Sequence, residues 1–113
     1  MIHIAKPFID EKEVDAVTKV IRSGIIAQGP VVKELEQKFA EYIGVKHAVM
    51  LNSGTAALHA ALAVAGIKKG DEVITTPFSF VATANTILMV GAKPIFADIS
   101  NDDFNIDFNK IKE

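Results

Sequence analysis

The chain has 113 residues, half of them hydrophobic, and a formal net charge of −2 from 12 basic and 14 acidic residues. Its length suits one domain with a hydrophobic core and is short for two, and its apolar content excludes a disordered chain. The charges are interspersed, so the sequence indicates neither a nucleic-acid partner nor an anionic membrane. Cysteine is absent, which excludes disulfides, thiolate metal sites and a cysteine nucleophile and is compatible with a reducing cytosol.

The first residues, 2–9, predict an extended arm. Pro7 disfavours the helical conformation at Lys6. No basic leader precedes a long apolar segment here, so we expect no signal peptide. No apolar stretch of the chain approaches the roughly 20 residues of a membrane span. We therefore expect a cytoplasmic protein without a membrane partner.

A first amphipathic helix is predicted from Asp10 to about Gly24. Asp10 suits the N-cap position, and Glu13 three residues later completes a capping-box pattern. Three apolar residues share one face of this helix: Val14, Val17 and Ile21. This spacing is the one expected of a helix and not of a strand.

A second helix is predicted after the loop 24–30. Pro30 suits the first helical position, and Gly44 is a natural C-terminal stop. The apolar residues of this segment also recur at helical spacing. We interpret two aromatic members of that stripe, Phe39 and Tyr42, as helix core because of their periodicity.

From Val45 onward, short apolar segments alternate with helical ones. The pattern predicts, in order, strand 47–51, helix 55–65, strand 72–76, helix 80–90 and strand 94–98. This alternation with short connections favours an α/β fold, a parallel sheet covered by helices. A further helix is predicted to begin within 107–113. Three parallel strands alone leave an unpaired apolar edge, so we expect either a longer protein or an oligomer.

The turn Ser53-Gly54-Thr55 joins a predicted strand to a predicted helix. Such a turn points unpaired backbone N–H groups and the positive end of the helix dipole at one place. The two hydroxyls add donors, and glycine allows close approach of a ligand. We interpret this turn as a phosphate site, although a short glycine turn with an ordinary N-cap is the simpler alternative.

Three segments reach the C-terminal edge of the predicted sheet, where ligands bind in open parallel sheets. They are residues 52–55, 75–80 and 98–101. The second segment carries two phenylalanines, Phe78 and Phe80. A phosphate site beside an aromatic side chain suits a flat, phosphorylated ring. Phe80 taken alone is more often a core residue than a stacking surface.

Seven motifs occur in the order and spacing of one family. They are Gly29-Pro30, Glu36, Phe39–Val45, Ser53–Leu58, Gly70–Ile74, Phe80–Asn85 and Gly91–Ile99. With them the chain resembles the N-terminal part of the DegT/DnrJ/EryC1/StrS sugar aminotransferases, pyridoxal-phosphate enzymes of fold type I. The resemblance implies a three-layer α/β/α fold with a mainly parallel sheet. It also implies that residues 1–44 form an arm and two helices at the dimer and substrate entrance, and that residues 45–113 form the first βαβαβ part of the large domain.

The resemblance also implies roles for individual residues. Gly54 and Thr55 would bind the phosphate of pyridoxal 5′-phosphate, with Ser53 shaping the turn. Phe80 would stack on the pyridine ring, and Thr83 would lie behind that ring. The loop that lines the sugar-substrate entrance would contribute Ile25, Ile26 and Gln28.

The implied reaction moves an amino group, usually from glutamate, to a keto sugar carried on a nucleotide diphosphate. Such reactions serve the biosynthesis of amino sugars for cell-surface polysaccharides or antibiotics. The family's Schiff-base lysine and the aspartate on the pyridine nitrogen lie beyond residue 113. The resemblance therefore implies a homodimeric enzyme of which these residues hold an incomplete cofactor site, inactive alone.

Two other functions are compatible with parts of the pattern. A regulatory or interaction protein could keep the fold without the lysine. A Rossmann-like nucleotide binder is disfavoured because the first strand–helix turn lacks Gly-x-Gly-x-x-Gly. We expect no metal site, since the three histidines lack partners at ligand spacing: His3, His47 and His59.

Overall fold

A computed structural model describes residues 5–111 of the chain. Its helices and strands are α1 (Glu11–Ser23), α2 (Pro30–Ile43), α3 (Gly54–Val64), β1 (Glu72–Thr75), α4 (Ala82–Met89) and β2 (Lys93–Phe96), followed by a 3-10 helix, Phe108–Ile111. The chain divides into two compact units between Met50 and Leu51. We call them the first unit and the second unit. The first holds α1 and α2, and the second holds everything from α3 onward.

The capping box predicted for α1 is confirmed. The Asp10 carboxylate accepts a hydrogen bond from Lys12 N at 2.8 Å, and the Glu13 carboxylate accepts one from Asp10 N at 2.8 Å. The helix ends at Gly24, whose φ of 73° lies in the left-handed region that glycine tolerates best. Residues 5–10 precede α1 without regular secondary structure. The first residues of the predicted arm, 2–4, lie outside the described part of the chain.

The bounds predicted for α2 are also confirmed, because Pro30 is its first residue and Gly44 ends it with a φ of 78°. The prediction that its aromatic stripe forms core is wrong. Phe39 is 47% exposed and Tyr42 is 86% exposed. Among the described residues of α2, the buried one is Ala40. Periodicity tells which side chains share a face, but it does not tell whether anything covers that face.

The second unit is built on one βαβ arrangement, which confirms the predicted α/β class. β1 and β2 pair in parallel, with Ile74 opposite Ile95. α4 connects them and packs against both strands, and α3 packs against α4. The core of this unit consists of small and branched side chains that are at most 6% exposed: Ala82, Thr86, Ile87, Ala92 and Ala97.

The predicted strand 47–51 is wrong, and with it the three-stranded sheet. Residues 47–51 have no regular secondary structure, and the described sheet has two strands, β1 and β2. The backbone N–H of Met50 donates instead to the Glu36 carboxylate at 3.0 Å, and Val49 is 71% exposed. An apolar segment can favour an extended conformation, but a strand exists only where another backbone pairs with it.

The chain continues past β2 with little regular structure. Ile99 and Ile106 form a single antiparallel bridge. The helix predicted within 107–113 is a 3-10 turn, Phe108–Ile111, and its last two predicted residues lie outside the described part. None of the helices between residues 5 and 111 has the length and apolar composition to cross a bilayer.

Candidate functional site

The beginning of α3 presents backbone N–H groups that donate to no acceptor within residues 5–111. Ser53 is the N-cap, and its hydroxyl accepts a hydrogen bond from Ala56 N at 3.1 Å. Ala57 N donates to the Ser53 carbonyl at 3.1 Å. The N–H groups of Gly54 and Thr55 lie ahead of the first intrahelical bonds and have no acceptor among residues 5–111. Two donors are therefore available to a ligand at this helix end.

Gly54 is not required by the local conformation. Its φ is not in the left-handed region, and a Cβ added to it would have no heavy atom within 4 Å. An alanine would therefore fit the fold at this position. The absence of a side chain instead leaves open space directly above the first turn of α3, which is the space that a bound group in contact with the backbone needs.

A cavity of about 570 Å³ lies at this helix end, wholly within the second unit. Its lining comes from the first turns of α3, the segment before α4 and the first turn of α4: Gly54, Thr55, Ala57, Leu58, Phe80, Ala82 and Thr83. Four of the five residues predicted to bind the cofactor are on this lining. The fifth, Ser53, adjoins it and acts through the N-cap bond described above.

The second predicted segment, which precedes α4, supplies the aromatic side of the cavity. Phe80 is 76% exposed although it is a large apolar side chain, so its ring is available for contact. Thr83 is half-buried, and its hydroxyl lies 2.9 Å from the Ser79 hydroxyl. The third predicted segment, residues 98–101, is not on the lining. There the Asp98 carboxylate accepts from Ile99 N at 2.8 Å.

The lining of this cavity has donors but no ionisable side chain. The groups with shifted pKa values lie elsewhere. A hydrogen bond from Lys38, and then its charge, lower the pKa of Glu34, and hydrogen bonds from the side chain and backbone of Asn105 lower the pKa of Asp103. The described residues contain no cluster of three or more His, Cys, Asp or Glu suited to a metal ion. The cavity can therefore bind an anion and an apolar ring, but its own side chains include no acid or base.

The residues predicted to contact substrate lie in the first unit. Ile25 and Ile26 are on the lining of a largely apolar cavity of about 520 Å³ between α1, the following loop and α2, whereas Gln28 is not. Gly29 closes this loop against Ile25, because a Cβ at position 29 would come within 2.6 Å of Ile25 Cγ2. The two isoleucines are 49% and 78% exposed, so this loop offers an apolar surface.

Four residues on or beside the cavity had no predicted role in the site. Ala57, Leu58 and Ala82 line it as parts of helix faces, and the i, i+3 spacing from Thr55 to Leu58 is the signal that could have indicated one of them. Ser79 lies beside the cavity, next to Thr83. Its spacing of four residues from Thr83 is the corresponding signal.

Comparisons with known proteins agree on one family. A family model of the DegT/DnrJ/EryC1/StrS aminotransferase family matches residues 7–113. The chain is 49% identical over 106 residues to the spore coat polysaccharide biosynthesis protein SpsC of Bacillus subtilis, covering 94% of this chain and 27% of that protein. It is 48% identical over 112 residues to UDP-4-amino-4,6-dideoxy-N-acetyl-beta-L-altrosamine transaminase of Campylobacter jejuni, covering 99% of this chain and 29% of that enzyme.

A solved structure is similar over nearly the whole chain. Spr1654 of Streptococcus pneumoniae, assigned as a sugar aminotransferase and solved in its PLP form, superposes with a TM-score of 0.93 at 39% identity. The match covers 98% of this chain and 28% of that one. The chain thus spans less than a third of the length of the relatives that it matches.

Proposed function

Because the chain belongs to the DegT/DnrJ/EryC1/StrS aminotransferase family, we propose that it supplies part of the pyridoxal-phosphate site of a nucleotide-sugar aminotransferase. The observation that carries this proposal is the cavity of the second unit, where free N–H donors and an exposed aromatic ring adjoin. The substrate class follows from relatives named as a polysaccharide biosynthesis protein and as a UDP-amino-sugar transaminase.

The phosphate end of the cofactor fits the beginning of α3. The unsatisfied N–H groups of Gly54 and Thr55 donate to phosphate oxygens, and the Thr55 hydroxyl adds a third donor. The open space above Gly54 admits a phosphate against the backbone. Ser53 holds the turn through its bond with Ala56 N and so keeps these donors oriented.

The ring end of the cofactor fits the segment before α4. The exposed face of Phe80 stacks on a flat aromatic ring, a contact worth about 0.5–1.5 kcal/mol beyond its buried area. Thr83 adds a hydroxyl to the same wall. When bound, pyridoxal phosphate supplies the electron sink and the amino-group carrier for transamination. The residues described here bind and orient that group.

Reactive side chains are absent from the lining of this cavity among residues 5–111. We propose that the Schiff-base lysine and the aspartate that faces the pyridine nitrogen, both needed by enzymes of this fold type, lie outside residues 1–113. This proposal is consistent with a chain that spans 27–29% of its curated relatives. According to this proposal, these 113 residues bind part of the cofactor and do not transaminate by themselves.

The substrate side of the proposal concerns residues 1–44, the arm with α1 and α2. We propose that Ile25, Ile26 and Gln28 line the entrance for the keto sugar nucleotide, close to the partner of a homodimer. Glutamate is the proposed amino donor, and the cytoplasm the proposed location. Support for the loop's role comes from its exposed isoleucines, which offer the apolar surface that a deoxysugar or nucleoside can contact.

The decisive experiment compares a longer polypeptide that continues past residue 113 with residues 1–113 alone. We expect the longer polypeptide to bind pyridoxal phosphate with a new visible absorbance band. Borohydride should trap the cofactor on a lysine beyond residue 113, as mapped by mass spectrometry. Residues 1–113 alone should give no trapped adduct. An adduct on one of their own lysines would refute the assignment, and a longer polypeptide that binds cofactor without a trappable lysine would favour a non-catalytic relative.

A further inference from the structure

Ser79 stands behind the proposed cofactor site without lining it. Its hydroxyl lies 2.9 Å from the hydroxyl of Thr83. Thr83 lines the cavity together with Gly54 and Phe80, whereas Ser79 does not. Thr83 therefore gives Ser79 a route by which to act on a ligand in this cavity.

The Ser79 hydroxyl is not used as a helix cap, which is the ordinary structural role of a serine ahead of a helix. The N-cap position of α4 is Val81, which makes no side-chain capping bond. Two N–H groups of the first turn of α4 bond to backbone carbonyls instead, from Thr83 N to Phe80 O and from Asn85 N to Val81 O, both at 3.0 Å. The Ser79 hydroxyl is thereby left to the Thr83 side chain.

The Thr83 hydroxyl has two alternative orientations in a helix. Threonine divides between two rotamers there because its hydroxyl can bond the carbonyl three or four residues earlier. The bond with Ser79 selects one of them. The main chain of Thr83 is in turn held by Thr86, whose hydroxyl donates to the Thr83 carbonyl at 3.3 Å and whose side chain is only 1% exposed. Both the backbone and the side chain of Thr83 are therefore restrained.

The direction of the bond decides what Thr83 can offer a ligand. A hydroxyl has one proton and two acceptor positions. If Ser79 donates, Thr83 keeps its own proton for an acceptor in the cavity. We propose that Ser79 is a positioning residue that donates to Thr83 and so holds the Thr83 hydroxyl as a donor to an acceptor atom of the bound pyridoxal phosphate. This inference rests on the proposed function, since it takes the cofactor as the occupant of the cavity.

The test is a double-mutant cycle on cofactor affinity in the longer polypeptide that continues past residue 113. The variants are Ser79→Ala, Thr83→Val and the double variant, and the measurement is the dissociation constant of pyridoxal phosphate for the apo form. Loss of a positioned hydrogen bond weakens binding about threefold to tenfold, so we expect this loss for Ser79→Ala. Thr83→Val should weaken binding at least as much, and the double variant should match Thr83→Val because in this proposal Ser79 acts through Thr83.

Controls separate positioning from folding. Ser79→Thr keeps the hydroxyl and should restore parental affinity. Ser100→Ala removes a serine hydroxyl that is not beside the cavity and accepts from Asp102 N at 3.1 Å, and it should leave affinity unchanged. The bound cofactor's absorbance maximum should shift in Ser79→Ala but not in Ser100→Ala. Should Ser79→Ala fail to fold, Ser79→Cys keeps the side-chain size with a much weaker donor and replaces it in the cycle.

Several outcomes would overturn the inference. Parental affinity in Ser79→Ala would show that the hydroxyl pair has no effect on the ligand. Additive losses in the double variant would show that Ser79 acts independently of Thr83. Failure of the parent polypeptide itself to bind pyridoxal phosphate would refute the proposed function and this inference with it, whereas parental binding with an unaffected Ser79→Ala variant would refute the inference alone.

Discussion

The two units of the chain differ in whether strong local helix signals are accompanied by burial of the helix. In the first unit, α1 and α2 carry strong local signals, with a capping box at Asp10, a proline at position 30 and glycine stops. Yet large apolar side chains on them are exposed, from 47% at Phe39 to 86% at Tyr42. In the second unit, α4 is short and lacks a side-chain cap, but it contains the best-buried residues of the described chain, Thr86 and Ile87.

The difference separates two sources of structure. Helices of the first unit form where capping and propensity favour them, since these effects act within one or two turns. The βαβ arrangement of the second unit forms because strands far apart in sequence pair and bury the connecting helix. The candidate site lies in the second unit, where the packing of α3 on α4 brings its lining residues together.

The largest expected effect comes from truncating a buried side chain of α4, which tests whether packing holds the second unit together. Ile87 is 2% exposed, and Ile87→Ala should lower the free energy of unfolding by about 2–5 kcal/mol through lost burial and the resulting cavity. Its neighbour Leu88 is 57% exposed, and Leu88→Ala should cost less than about 0.5 kcal/mol. Urea unfolding of both variants measures the contrast. Equal losses would mean that α4 is not buried on the side that the structure shows.

A second change separates ligand binding from folding at the start of α3. Gly54→Ala should leave the free energy of unfolding unchanged or raise it by up to about 1 kcal/mol, because alanine favours helix and fits without a clash. The same methyl group occupies the proposed phosphate position, so cofactor affinity should fall about tenfold, or about 1.4 kcal/mol.

Gly66→Ala is the matched control for Gly54→Ala. Gly66 has a φ of +82°, so alanine there should lower stability by about 1 kcal/mol while cofactor affinity stays at the parental value. Thermal unfolding and a cofactor titration give the two readouts for each variant. The reverse pattern, with Gly54→Ala unstable and still binding normally, would contradict the phosphate site.

The third change weakens a local signal of the first unit. Asp10→Ala removes the acceptor for Lys12 N but keeps the backbone N–H that donates to the Glu13 carboxylate. It should cost about 0.5–2 kcal/mol of stability and shorten α1 by fraying, which circular dichroism detects as lost helix signal. Asp15→Ala removes a carboxylate from the same helix without removing a cap and should have little effect. A comparable loss of helix in both variants would argue against the capping box.

The smallest expected effect concerns the exposed pair of Lys38 and Glu34, whose side chains meet at 2.6 Å. The hydrogen bond and then the charge of the partner lower the pKa of Glu34 and raise the pKa of Lys38. Because the pKa of Glu34 is lowered in the folded state, its contribution to stability is present at pH values above the pKa of the unfolded chain. That contribution is lost as the pH falls through the folded pKa. Because the pKa of Lys38 is raised in the folded state, its contribution to stability is present at pH values below the pKa of the unfolded chain. That contribution is lost as the pH rises through the folded pKa.

The contribution of this pair should therefore be complete at neutral pH and disappear in acid as Glu34 protonates and in strong alkali as Lys38 deprotonates. Side-chain NMR titration should show the pKa of Lys38 falling toward its ordinary value in Glu34→Gln. Glu41 also raises the pKa of Lys38, but as the smallest of its causes, so Glu41→Gln should move it less. Equal shifts in the two variants would show that the pair is not formed in solution.

Much of the fold was predictable because its signals are local. Four helices and two strands lie within about two residues of the predicted bounds. The strand predicted at 47–51 failed because strand formation depends on a partner backbone, and the core role predicted for Phe39 and Tyr42 failed because burial depends on a covering surface. Neither condition can be read from the residues of the segment itself.

For the site, the amino-acid sequence by itself determined the N-cap at Ser53, the glycine beside it and the aromatic ahead of α4, since capping, turns and composition act over a few residues. Only the tertiary structure decided that Phe80 and Thr83 face the same cavity as Gly54 and Thr55, and that Ser79 bonds the Thr83 hydroxyl. The physical reason is that the packing of α3 on α4 brings together residues about 25 positions apart, and no local preference specifies that contact.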